Sequence, residues 1–138
     1  MSDGRRIRLA HLMVSIVGLV AGCAAPAAPV GSIQHIVLVR LSDPADAPAL
    51  VAECDQVIRP IPSVRSYACG PPFDSGRANV DGGYDVGLVL RFADRAGYEA
   101  YVADPDHVAF VDRWRSRCTM LRIHDIVEER PEPGSPVS

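Results

Sequence analysis

The segment from Tyr98 to Asp112, Y-E-A-Y-V-A-D-P-D-H-V-A-F-V-D, places phenols and an imidazole around a helix boundary. Tyr101 falls near the end of one predicted helix. Asp104-Pro105 reads as the cap and first residue of the next, and His107 follows in its first turn. The positive end of the helix dipole disfavours an imidazolium at that position. His107 is therefore expected as a neutral imidazole that can act as a general base. Tyr101 can donate its phenolic proton to a developing enolate or oxyanion. Two further polar residues interrupt apolar strand faces. His35 shares a face with Val37 and Val39, and Asp125 shares one with Leu121 and Ile123. A buried carboxylate needs a partner, and an Asp–His pair would fix the tautomer of His107 or of His35. The catalytic candidates are thus His107 as base and Tyr101 as acid, with His35 and Asp125 as substrate-binding candidates. Each also has a structural reading, as a packed tyrosine or a hydrogen-bonded core histidine. Tyr98 reads as packing, Trp114 as core, and Asp104 and Asp106 as helix cap and helix-start charge.

These residues need a scaffold, and the 138-residue chain allows one domain. Ile33 to Leu41 (IQHIVLVRL) reads as a strand with two largely apolar faces, which calls for cover on both. Leu50, Cys54, Val57 and Ile58 follow helical spacing, and Pro60-Ile61-Pro62 ends that helix. Val64 to Gly70 and Tyr84 to Phe92 read as strands joined by a long Gly/Pro/Asp-rich loop, Pro71 to Gly83. Asp94 caps a helix through Ala103. The next helix runs from Asp104-Pro105 to about Cys118, with His107, Val111, Trp114 and Cys118 on one stripe. Met120 to Val127 reads as the last strand. The order β-α-β-β-α-α-β is an α+β, ferredoxin-like plan with a four-stranded antiparallel sheet. Helices can cover only one face of such a sheet, so a second copy of the same sheet is the economical cover for the other.

The termini read differently. Arg5, Arg6 and Arg8 precede an apolar run, Leu9 to Val20, that is too short to span a bilayer comfortably. Val20-Ala21-Gly22-Cys23 resembles the lipobox of bacterial lipoproteins, which implies cleavage before Cys23 and lipid on that cysteine. The expected organisation is a signal peptide at 1–22, a lipidated Cys23 with a Pro/Ala tether at 23–32, a folded unit at 33–129 and a disordered tail at 130–138. The expected location is the bacterial cell envelope, facing the periplasm or the exterior. Ala24 after the cysteine implies the outer membrane. All 14 basic residues are Arg, scattered in a chain of net charge −3, so the footprint of a nucleic-acid binder is missing. Cys54, Cys69 and Cys118 permit at most one disulfide among themselves, and the sequence leaves the pair open. There is no Cys-x-x-Cys, and His, His and Asp lack the local spacing of a metal triad, so neither metal nor cofactor is expected.

The residues from Ile33 to Glu129 together resemble the stress-responsive A/B barrel (Dabb) family. The resemblance rests on His35 followed by Ile36-Val37-Leu38-Val39, on Ile61-Pro62-Ser63-Val64, on Gly83-Tyr84-Asp85, on Phe92, and above all on Tyr101 with Pro105-Asp106-His107-Val108-Ala109-Phe110. It implies a protomer that dimerises through its sheet into a β-barrel. A plant polyketide cyclase of this family works without metal or organic cofactor. By resemblance, its acid/base Tyr and His correspond to Tyr101 and His107, a pocket His to His35, and a last-strand Asp to Asp125. Two other histidines of the cyclase are replaced here by Val86 and Asp104, so the resemblance supports a pocket and not that reaction.

Two classes of function follow. The first is a lipid-anchored, homodimeric module that binds a small apolar or aromatic molecule or serves a stress response. The second is a cofactor-free acid/base enzyme, cyclase- or isomerase-like, acting on a carbonyl-rich or aromatic substrate through His107 and Tyr101. Either needs an open cavity, about 300 Å³ or more for a typical ligand site, among His35, Tyr101, His107 and Asp125.

Overall fold

The computed structural model describes residues 31–129. The expected signal peptide, Cys23, most of the expected tether and the expected tail lie outside the described residues. The elements are β1 (Ile33–Leu41), α1 (Ala47–Glu53), β2 (Ser66–Gly70), β3 (Val86–Phe92), α2 (Arg95–Ala103), α3 (Pro105–Trp114) and β4 (Cys118–Val127). A 3₁₀ turn, Pro44–Asp46, leads into α1, and a π-helical turn, Cys54–Ile58, continues it. All strand pairs are antiparallel, in the order β2-β3-β1-β4. The α+β ferredoxin-like plan read from the sequence is the fold observed.

Local chemistry sets the helix ends. The Asp94 side chain accepts from the Gly97 amide at 2.8 Å and so starts α2. Asp104 is extended, accepts from the Asp106 amide at 2.9 Å, and places Pro105 at the first helical position of α3. The same residue ends α2, since its own amide bonds back to the Tyr101 carbonyl. One aspartate therefore separates Tyr101 from His107 by a sharp corner between two helices.

Three strand starts differ from the sequence reading. β2 begins at Ser66 rather than Val64, because the Val64 amide is turned back onto Ile61. β3 begins at Val86 rather than Tyr84, and Asp85 just before it ties β1 down: its amide donates to the Val39 carbonyl and its carboxylate accepts from the Leu41 amide. β4 begins at Cys118 rather than Met120, because α3 stops at Trp114 and only a 3₁₀ turn, Arg115–Arg117, intervenes. The tether also ends earlier than expected. Ser32 is fully buried, and Gly31 and Ser32 exchange backbone hydrogen bonds with Glu128.

The core lies between one sheet face and the helices. Val37, Val39 and Leu41 of β1 and Val86, Leu88, Leu90 and Phe92 of β3 meet Leu50, Cys54, Ile58, Tyr101, Phe110 and Trp114. Glu53 fastens α1 to α3, accepting from the Trp114 indole at 2.8 Å and from the Arg113 guanidinium. The helices stop short of β4, an edge strand. Its Leu121 and Ile123 point to the helix side, opposite Val39 and Val37, yet remain about half exposed. On the other face Ile36 and Leu38 are only half covered, and Val89 and Ile126 are exposed. A second apolar face without cover is what the two-sided β1 pattern implied.

Candidate functional site

A cavity of about 100 Å³ lies between the helices and the β1–β4 half of the sheet. Its wall is almost wholly apolar, with Leu50, Val111 and Trp114 among its residues, and Leu121 and Ile123 standing at the uncovered edge. His107, Val111 and Trp114 of α3 line it, as does Cys118, read from the sequence as the end of the same helical stripe but found as the first residue of β4. Its volume is below the 300 Å³ expected. A dry cavity of roughly 150 Å³ holds one benzene ring, so this one is smaller than the space a single aromatic ring fills.

Tyr101 is the centre of the polar cluster. Its ring is 2% exposed and packs against Phe92 (centroids 5.0 Å apart), His35 (5.8 Å) and His107 (4.3 Å). Its hydroxyl makes no hydrogen bond among the described residues and is not among the sealed polar atoms, so it opens onto the cavity that Tyr101 lines. Burial pushes the phenol well above its ordinary value, with the Cys54 thiol and Tyr98 adding to the shift. Tyr101 is therefore a permanent proton donor and not a phenolate.

His107 is half-buried, and its Nδ1 lies 3.2 Å from the Val102 carbonyl. A carbonyl only accepts, so Nδ1 carries the proton and Nε2 keeps its lone pair. Burial holds the ring below its ordinary value, opposed by the Val102 carbonyl and the Asp104 charge and assisted by His35. That direction favours the neutral imidazole, and its first cause is desolvation rather than the helix end.

His35 is buried at 6% exposure in the β1 face, and its Nδ1 meets Asp125 Oδ1 at 2.6 Å across the β1–β4 pair. That contact settles which histidine the aspartate serves: it is His35, while His107 takes a backbone carbonyl. His35 Nε2 is left as the nitrogen available to the cavity. Asp125 itself is not buried, as the last-strand pattern had implied. Its side chain is 42% exposed, because the helices do not reach β4. It lies behind His35, in a shallow depression with Arg95, Tyr98 and Glu99, and not in the cavity wall. Asp125 is thus a positioning residue rather than a substrate contact.

Two participants were not legible in the sequence. Tyr98, read as packing, donates its hydroxyl to Asp125 Oδ2 at 3.2 Å and stacks edge-on against His35. Cys54 reaches the cavity wall beside Tyr101. The helical stripe of Leu50, Cys54 and Ile58 showed that Cys54 would face inward, but nothing local placed it next to Tyr101. Among the described residues, no group of three or more His, Cys, Asp or Glu is arranged to hold a metal ion.

Several solved structures share this fold. A Dabb family protein with a ferredoxin-like fold from Mesorhizobium loti is 28% identical, with a TM-score of 0.60 over 71% of this chain and 97% of its own. A dimeric ferredoxin-like protein of unknown function from Thermobifida fusca is 23% identical, with a TM-score of 0.59 over 70% of this chain and 91% of its own. A hydroxynitrile lyase from Passiflora edulis is 14% identical, with a TM-score of 0.64 over 76% of this chain and all of its own. No curated protein matches the chain. The family model for the stress responsive A/B barrel domain matches residues 33–128, nearly all of the folded unit, and the chain belongs to that family.

Proposed function

We propose that the protein is a cofactor-free acid/base enzyme acting on a compact, largely apolar carbonyl compound. The observation that carries this reading is that Tyr101, His107 and His35 all line one largely apolar cavity. The substrate's oxygen would face the Tyr101 hydroxyl. His107 Nε2 would take the proton from the adjacent carbon, and Tyr101 would donate to the enolate oxygen that forms. The apolar wall excludes water and strengthens both interactions. His35, oriented by Asp125 and Tyr98, flanks Tyr101 and limits how the ligand can lie. That a hydroxynitrile lyase shares the fold is in keeping with catalysis on this scaffold, though a fold does not fix a reaction.

The test is enzyme-dependent hydrogen–deuterium exchange at the α-carbon of a panel of small cyclic and aromatic ketones, followed by NMR in D₂O. Exchange above the buffer rate for at least one member is expected. Binding without exchange favours the second reading, a small-molecule-binding or stress-related module. The small volume and apolar wall of the cavity support that alternative. The absence of both binding and exchange would rule out the cavity as the site.

We further propose that the chain works as a homodimer, joined through the uncovered sheet face that carries Ile36, Leu38, Val89 and Ile126. Support comes from that face and from the dimeric Thermobifida relative. A lipid anchor on Cys23, and with it a place in the cell envelope, rests on the lipobox-like Val20-Ala21-Gly22-Cys23. Cys23→Ser is expected to move the protein from the membrane fraction to the soluble one. Persistent membrane association of that variant would remove the anchor from this account.

A further inference from the structure

The sequence left the partner of each cysteine open, and the fold brings two of them together. Cys54 opens the π-helical turn after α1, and Cys69 lies in β2, opposite Leu88 of β3. Their side chains belong to one packed cluster, and each thiol is the first influence on the other's titration, which makes the two sulfurs neighbours. Cys118 stands apart, its thiol turned to the Trp114 carbonyl at 3.2 Å.

The two sulfurs are not equivalent. Cys54 is 2% exposed, whereas Cys69 is half-buried in an edge strand. The neighbouring Cys69 thiol and burial push the Cys54 thiol far up. Cys54 in turn brings Cys69 down, against its own desolvation. The Tyr67 hydroxyl, sealed from solvent and without a well-formed hydrogen bond, lies beside Cys69 and Asp55 and is a spare donor for a thiolate there. An accessible thiol of lowered pKa next to a buried one is the arrangement of an attacking and a resolving cysteine.

We propose that Cys54 and Cys69 form a redox-active dithiol that a small disulfide oxidises to an intramolecular disulfide, with Cys69 attacking first and Cys54 resolving. In the first step the Cys69 thiolate attacks one sulfur of the oxidant. A mixed disulfide forms at Cys69 and one thiolate leaves. Cys54 then loses its proton and attacks the Cys69 sulfur, expelling the second thiolate. Two protein thiols become one disulfide, and the oxidant is reduced to two thiols. Cys54 also lines the cavity beside Tyr101, so the bond forms in the wall of the candidate site.

The experiment treats the full-length protein with glutathione disulfide, blocks remaining thiols with N-ethylmaleimide, and digests it with trypsin without reduction. Arg65 separates the two cysteines, so the expected product is a pair of peptides, carrying Cys54 and Cys69, joined until reductant is added. Cys54→Ala should hold glutathione on Cys69, while Cys69→Ala should leave Cys54 unmodified. Should Cys54→Ala misfold, native wild-type protein decides the order of reaction: Cys69 should be alkylated about tenfold or more faster than Cys54. A link through Cys118 or Cys23, glutathione on Cys54 in the Cys69→Ala variant, or a pair that stays reduced would overturn the proposal.

Discussion

The α2–α3 corner and the β1–β4 pair each deliver one histidine to the same cavity, by different means. At the corner, everything that positions His107 is local. Asp104 ends one helix and caps the next, and Val102, five residues upstream, holds Nδ1. In the sheet, everything that positions His35 is remote, since Asp125 lies 90 residues away and is brought opposite by strand register. Both devices fix the same tautomer and leave Nε2 to the cavity. They differ in solvent access. The sheet pair is backed by a half-exposed carboxylate, whereas the corner histidine faces a backbone carbonyl. In the proposed reaction His107, whose neutral form burial favours, is the base, and His35 buttresses Tyr101.

The strongest way to break this assignment is His107→Ala. Removal of the general base should lower ketone exchange by about 10²–10⁴-fold, with little change in the thermal midpoint, because the ring is only half-buried. Activity retained in that variant, together with activity lost in His35→Ala, would exchange the two roles.

The pH profile should follow from the same residue. The base form of His107 is required, and burial lowers its value below the ordinary 6.5. Exchange should therefore remain full at neutral pH and fall only as the pH drops through that lowered value. On the alkaline side Tyr101 must keep its proton, and burial raises it above its ordinary 10, so no loss is expected below pH 10. An acid limb above 6.5 would count against His107 as the base.

The smallest effect separates positioning from catalysis. Asp125→Asn removes a charge-assisted hydrogen bond, worth about 1.5–3 kcal/mol when well shielded. The exposure of Asp125 reduces the expected loss in denaturant unfolding to roughly 1 kcal/mol. Exchange activity should drop several-fold and its pH profile should keep its shape. A shifted acid limb would place Asp125 in the catalytic chain instead.

The sequence by itself determined the element order, the caps at Asp94 and Asp104 and the inward stripe of α3. These depend on spacing within a few residues, where helix and strand periods constrain which side chains share a face. It also carried the family signature and the two-sided apolar pattern of β1. Only the tertiary structure decided that Asp125 serves His35 and not His107, that Tyr98 joins them, that Cys54 and Cys69 share one packed cluster, and that the cavity is small. Each of those outcomes depends on register between segments distant in the chain and on how far the helices extend across the sheet. A one-residue slip of β4 against β1 would turn Asp125 to the opposite face, and no local pattern reports that choice.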